Sequence, residues 1–353
     1  MGKPGPGQIM LSEIHEQPEA LARLLAAEEV PIRELARHWR ARPPRFIFIA
    51  ARGTSDHAAL YAKYLFETIN GIPVGLAAPS VASIYQADLR VEGGLFIGIS
   101  QSGEAADVTA VIERARKAGA DTLAITNFAA SPLAQAAQHT ILLHAGPEKA
   151  VAATKTFTST LAALLLLSAT LGDNQALLEE LKRLPLLVEK ALQSAEQLRA
   201  KVERFRYLQE CVVLGRGYNL AVAYELALKL RETSYLRAQP FASPDFVHGP
   251  IAMIREGYPV IAIANQGPAL QSVLEVVKEV QARGAEAVII GNAPEALEIA
   301  DVAFPVGAGD DIPEVVSPFP STAVGQVFSQ ALAVLKGFDP DHPHGLQKVT
   351  ITH

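Results

Sequence analysis

The chain is predicted to be an α/β protein made of two tandem copies of one domain, each a parallel sheet flanked by helices in a flavodoxin-like, three-layer arrangement. Short apolar runs of β type alternate with helical runs along most of its length, as in parallel strands joined by helical crossovers. The alternation occurs twice, with matching turn residues at a nearly constant separation. The most hydrophobic run, 161–167, is far shorter than the ~20 residues a membrane span needs, so it reads as a buried helix.

Taken in order, the chain starts with a Gly/Pro-rich segment lacking the apolar core of a signal peptide, and a helix is expected near 11–25. The first strand, 46–50, leads into a helix through Tyr61 and Leu65. The second, 95–99, leads into a helix over 105–118, where Val108, Val111, Ile112 and Ala115 recur at helical spacing. Strands at 122–125 and 139–143 follow. Residues 181–204 are charged and helical in pattern, a connecting helix rather than a flexible linker. The second set of strands is 212–214, 260–264, 287–290 and 302–306. The expected organisation is an N-terminal segment (1–34), a first domain (35–180), the connector (181–204), a second domain (205–336) and a Pro/His-rich tail (337–353).

Bulk composition narrows the function classes. At 353 residues, 49% hydrophobic and 19% charged, the chain can fill two sizeable cores. A net charge of −6 without a long Lys/Arg run argues against nucleic acid as a partner. Cys211 is the only cysteine, which excludes a disulfide scaffold and a Cys-based zinc site and fits a reducing cytoplasm. It starts an apolar strand, where packing is the expected role rather than nucleophilic attack.

The repeat is seen most clearly at the turns. Arg52-Gly53 and Arg216-Gly217 are 164 residues apart, as are Gly103 and Gly267. Ala118-Gly119-Ala120-Asp121 resembles Arg283-Gly284-Ala285-Glu286, and Asn127 corresponds to Asn292, now 165 apart, as one insertion would give. The copies differ chemically. Ser100-Gln101-Ser102-Gly103 becomes Ala264-Asn265-Gln266-Gly267, and Thr54-Ser55 becomes Tyr218-Asn219. A strand passing to a helix through a hydroxyl- and glycine-rich turn gathers backbone N–H groups around one point, which suits a phosphate. A serine-rich helix cap with no ligand is the plainer reading. The repeat favours the phosphate: the second copy keeps the glycine and drops both serines, so the fold explains the glycine and leaves the serines to a ligand.

Ionisable groups concentrate in the second copy. Glu225, Lys229 and Glu232 share one helix face, where a carboxylate beside an ammonium group can act as a tuned general base. An ordinary solvated ion-pair stripe is the alternative. His248, beside Gly249-Pro250, is either a functional group or a hydrogen-bonded structural histidine. The tail holds His342, His344 and Lys348, but no carboxylate or cysteine spacing supports a metal. A disordered or docking tail is the other reading.

Ala51-Arg52-Gly53-Thr54-Ser55, Ser100-Gln101-Ser102-Gly103-Glu104, Val151-Ala152-Ala153-Thr154-Lys155 and Leu228-Lys229-Leu230-Arg231-Glu232 resemble the sugar isomerase (SIS) domain family. More narrowly, they are similar to the two-SIS isomerase half of glucosamine-6-phosphate synthases, as are His248-Gly249-Pro250 and the ending Asp341-His342-Pro343-His344-Gly345-Leu346-Gln347-Lys348. The resemblance implies that Thr54, Ser55, Ser100, Gln101 and Ser102 bind the phosphate of a hexose 6-phosphate, and that Gly53, Val151 and Ala153 line the sugar. It implies that Glu232 moves a proton between C1 and C2, that His248 assists ring opening across a homodimer, that Lys348 forms a Schiff base and that Lys229 polarises the same region. No cofactor or metal is implied.

Departures shape the expected activity. Gly2 follows Met1 where the synthases carry the cysteine of a glutaminase domain, so no glutaminase is expected. Ala105, Ala153 and His344-Gly345 stand where the synthase pattern has threonine, serine and Arg-Asn. The expectation is an amino-sugar-phosphate isomerase and deaminase, interconverting glucosamine 6-phosphate with fructose 6-phosphate and ammonia. A deglycase or deaminase of another sugar phosphate, such as a fructosamine 6-phosphate, is the second enzyme reading. A non-catalytic sugar-phosphate sensor is the third, and it has no use for Glu232, His248 and Lys348 together.

Overall fold

The computed structural model describes residues 5–307 and 309–348, with only the backbone of Leu198. The last five residues of the tail therefore lie outside the described residues. Strands β1 (Phe46–Ala50), β2 (Val74–Leu76), β3 (Gly94–Ile99), β4 (Asp121–Thr126) and β5 (His139–Leu142) form one sheet in the order β2-β1-β3-β4-β5. Strands β6 (Glu210–Gly215), β7 (Arg237–Ala242), β8 (Pro259–Ile263), β9 (Glu286–Gly291) and β10 (Val302–Pro305) form the other, in the order β10-β9-β8-β6-β7. Every described strand pair is parallel. Counted from the first strand of its own copy, each sheet has the same order. The sequence repeat is thus a repeat of topology.

The described residues divide into two compact units. The first-sheet unit takes them from 19–148, 155–183 and 347–353, and the second-sheet unit from 1–18, 149–154 and 184–346. Parallel strands covered on both faces read as continuous apolar runs, and all six residues of β3 are buried. One face of the first sheet packs Phe96 against Val108, Val111, Ile112 and Leu133. The second sheet does the same with Val260, Ala262, Val273, Val277 and Ile289. In the first-sheet unit, helix Lys155–Leu171 is buried at every residue and packs on helix Thr54–Ile69. In the second-sheet unit, helix Pro318–Leu335 packs on helix Leu220–Ser234. The run at 161–167 is a core helix, and among the described residues no helix is long and apolar enough to cross a membrane.

Two strands escaped the sequence pattern, and both are edges. Strand β2 is only three residues long with Gly75 at its centre, and β7 contains Pro240. Proline lacks an N–H and so sits on an edge, where a pairing partner is needed on one side only, and a three-residue strand centred on glycine is too short to show an apolar run. The expected N-terminal helix is two helices, Gln8–His15 and Gln17–Ala41, and the connector is a helix over Gln175–Leu198 followed by a 3-10 turn.

Helix Gln8–His15 starts at Gly7, which has no side chain to cap it. The tail does so instead. Asp339 accepts from the N–H of Gly7 at 3.0 Å, and the buried Asp341 accepts from Ile9 at 3.0 Å and Met10 at 2.7 Å. Carboxylates at a helix N-terminus satisfy its open donors and its dipole. The phenol oxygen of Tyr235 adds an acceptor for the N–H of His344 at 2.7 Å. Over these residues the tail is anchored, contrary to the disordered reading.

Candidate active site

In the first-sheet unit the chain passes from β1 to β2 on one side and from β3 to β4 on the other, so the connections from the adjacent strands β1 and β3 diverge. Ligands of open parallel sheets bind at the carboxyl ends of such strands. Gly53, Thr54 and Ser55 follow β1, while Ser100, Gln101 and Ser102 follow β3. The hydroxyl of Ser100 accepts the N–H of Gly103 at 3.1 Å, and that of Ser102 accepts the N–H of Glu104 at 3.2 Å. Accepting leaves each hydroxyl its own hydrogen to donate. Gly103 has a φ of +69°, and a Cβ there would collide with Ser131, so only glycine fits. Gly53 has a φ of +54° with open space where a Cβ would stand. Arg52 ties the two turns together: its Nε and Nη2 both lie 2.7 Å from Oδ2 of Asp107, a buried residue of helix Ala106–Lys117. That helix has no side-chain cap at Ala105.

The same unit contains Lys348. Its Nζ donates to Oε2 of Glu148 at 2.7 Å, and the Glu148 side chain is fully buried. Glu148 also accepts from the hydroxyl of Thr156 at 2.8 Å and from its N–H at 3.1 Å, capping helix Lys155–Leu171. Lys155 donates to the carbonyl of Pro147 at 2.7 Å. Sequence reasoning missed Glu148. The repeat held a usable signal, because Pro147-Glu148 and Pro313-Glu314 stand 166 residues apart, continuing the series of 164 and 165.

The second-sheet unit carries the other candidates. On helix Leu220–Ser234, Nζ of Lys229 lies 3.3 Å from Oε1 of Glu225 and 2.6 Å from Oε2 of Glu232. Glu225 and Lys229 are 1% exposed, which rules out the solvated stripe, while the Glu232 side chain keeps 24% of its surface. Burial works against the charge of Lys229, but the two carboxylates outweigh it and hold the ammonium above its ordinary range. His248 ends helix Ser243–Val247 and is exposed, so it is no core histidine. Val151 and Ala153 are half-buried in a loop held by Glu13, which accepts from the N–H groups of Lys149 and Ala150 (the latter at 3.2 Å), and by the carbonyl of Asp341, which accepts from Val151 at 3.4 Å. Cys211 is buried in β6, where desolvation, with Glu210 adding to it, pushes its thiol up to about 12.

The structure thus gathers Gly53, Thr54, Ser55, Ser100, Gln101 and Ser102 at two adjacent strand ends, with Lys348 in the same unit. It joins Lys229 to Glu232 and places both, with His248, Val151 and Ala153, in the other unit.

Two sheets of one topology, one of them with a hydroxyl-lined turn at its switch point, define a tandem α/β protein. The chain belongs to the SIS domain family, whose domain it matches over residues 42–169 and 209–297. It is similar to glutamine–fructose-6-phosphate aminotransferase (isomerizing) of Methanothermobacter thermautotrophicus, at 36% identity over 98% of this chain and 58% of that one. The chain thus spans 58% of the length of such curated relatives, the part that forms their isomerase half. The solved C-terminal domain of glucosamine-fructose-6-phosphate aminotransferase from Francisella tularensis is 31% identical, with a TM-score of 0.85 over 96% of this chain and 99% of that one. Glucosamine-6-phosphate deaminase from Thermotoga maritima, at 22% identity, shares the fold, with a TM-score of 0.79 over 98% of this chain and 100% of that one.

Proposed function

We propose that this chain is a sugar-phosphate isomerase of the amino-sugar type, converting glucosamine 6-phosphate and water to fructose 6-phosphate and ammonia, or the reverse. The observation that carries the reading is the pairing of Lys348 with a buried carboxylate in the unit that holds the phosphate turn. A sensor has no need of a positioned amine.

In this reading Thr54, Ser55, Ser100, Gln101 and Ser102 donate to the phosphate, and Gly53, Val151 and Ala153 line the sugar. His248 assists ring opening and is contributed across a homodimer, for which its exposed ring is suited. Glu232 removes the C2 proton of the open-chain aldose and returns it to C1, leaving an imine at C2. Lys229 supplies the fixed positive charge that an enediol-like intermediate needs. The amine of Lys348 attacks C2 and ammonia leaves. Water then hydrolyses the lysine imine, releasing the ketose and the free amine. The carboxylate of Glu148 stands at 2.7 Å to exchange the lysine's proton.

The similarity to the aminotransferases' isomerase half supports this choice of substrate class. The second reading is a deglycase or deaminase of another sugar phosphate, such as a fructosamine 6-phosphate: Ala105, Ala153 and His344 depart from the synthase pattern, and Ala105 leaves the N-terminus of helix Ala106–Lys117 without a side-chain cap. Incubation with glucosamine 6-phosphate, following ammonia and fructose 6-phosphate together, tests the assignment. Both products should rise in equal amounts. Ammonia from a fructosamine 6-phosphate alone would move the substrate, and tight binding without turnover would make the chain a sensor.

A further inference from the structure

The second copy of the fold keeps both glycines of the phosphate turn and sets a carboxylate against them. Gly217 (φ +58°) and Gly267 (φ +144°) are the counterparts of Gly53 and Gly103. A Cβ on Gly53 would meet nothing within 4 Å. One on Gly217 would stand 3.1 Å from Oε1 of Glu314, and one on Gly267 would stand 2.6 Å from its Oε2. Each carboxylate oxygen therefore faces one turn glycine. Burial pushes the Glu314 carboxyl above the usual carboxylate range, and the backbone at Ala269, which precedes helix Leu270–Ala282, works against that rise.

Several other polar groups at these strand ends bond one another, while among the described residues the buried Nδ2 of Asn292 has no partner. Asn265 donates to Oδ1 of Asn219 and to the hydroxyl of Ser321, both at 2.9 Å. Asn219 donates to the hydroxyl of Ser317 at 2.9 Å, and the N–H of Gln266 donates to Oδ1 of Asn292 at 2.8 Å. Asn219 and Asn265 take the places of Ser55 and Gln101 in the repeat. Glu314 takes the place of Glu148, so one loop of the repeat carries a glutamate in both copies: one holds Lys348, and the other fills a turn. A carboxylate is an anion with oxygens suited to the backbone donors of a glycine turn and a helix N-terminus.

The geometry points to Glu314 as a resident anion that occupies the phosphate turn of the second copy, so that each chain takes phosphate at the Ser100 turn alone. This rests on the reading of that turn as a phosphate site. Glutamate supplies from within the chain the charge that the first copy takes from its substrate.

The test uses the full chain with inorganic phosphate as probe, following the thermal unfolding midpoint against chloride at matched ionic strength. Wild type should gain a saturable rise that Ser102→Ala suppresses. Glu314→Ala should start lower and gain an additional rise of roughly 2–4 °C at phosphate about tenfold above its dissociation constant, and the Ser102→Ala/Glu314→Ala chain should retain that additional part. Glu314→Gln keeps the turn filled and should gain nothing extra. Equal phosphate responses in wild type and Glu314→Ala would overturn the proposal. A response in the double variant with none in wild type would instead overturn the Ser100 reading and leave this one standing. Equilibrium dialysis of wild type against fructose 6-phosphate gives a check that needs no variant: one sugar phosphate per chain is expected, and two would overturn the closure.

Discussion

Nζ of Lys348 and Oε2 of Glu148 lie 2.7 Å apart, the carboxylate wholly buried and the lysine about a quarter exposed. A buried carboxylate needs a cation and hydrogen-bond donors to remain charged, and here it has Lys348 and Thr156. The pairing makes Glu148 a positioning residue for the amine. Glu148→Gln should therefore lower kcat by about 10–100-fold while changing KM for the sugar phosphate little. It should also slow borohydride trapping of fructose 6-phosphate and shift the pH dependence of trapping. A loss confined to stability, with the pH profile unchanged, would reduce Glu148 to a helix cap.

Removing the amine itself tests the covalent step. Lys348→Ala should abolish borohydride trapping of a ketose phosphate on the protein. Trapping at the wild-type level would take Lys348 out of the mechanism.

The Ser102 hydroxyl accepts a single bond, from Glu104 at the end of the turn. Ser102→Ala should leave the fold intact and raise KM for the sugar phosphate about tenfold or more, the value of one hydrogen bond to a charged group. Steady-state kinetics with phosphorylated and unphosphorylated sugar separates this from a general loss of activity, because the unphosphorylated sugar should be indifferent to the change.

Lys229 joins two carboxylates, one of them buried. Lys229→Met leaves Glu225 without its cation and should cost about 3–5 kcal/mol in urea unfolding. Glu232→Gln keeps the shape and the partly exposed position, should cost far less stability, and should suppress exchange of the substrate C2 proton with solvent. Undiminished exchange would place the base elsewhere.

Cys211 is a packed residue, and its thiol is pushed up to about 12 by burial from an ordinary value of 9.0. Native protein should resist alkylation at pH 8 and react once unfolded. Because the unfolded thiol ionises first, the thiol's contribution to stability is complete below about pH 9 and is lost as the pH rises toward 12. Equilibrium unfolding of Cys211→Ala against wild type across that range should show the difference narrowing.

The sequence by itself determined the parallel α/β class, the duplication and the serine-bearing turn. These depend on local periods and on turn chemistry, which hold wherever the segment lies. It did not reveal β2 and β7, because an edge strand with glycine or proline carries no continuous apolar run. The tertiary structure decided which ionisable groups matter. Glu225 and Lys229 form a face that could equally have been solvated, and only the tertiary packing of their helix, against Pro318–Leu335 and the second sheet, determines its burial. Lys348 and Glu148 are 200 residues apart, and Asp341 and Met10 are 331 apart. No sequence period connects positions so distant, since their pairing is set by the path of the chain between them. Glu314 is the clearest case. The repeat marks its position, but only the folded loop shows that its carboxylate lies against the two glycines.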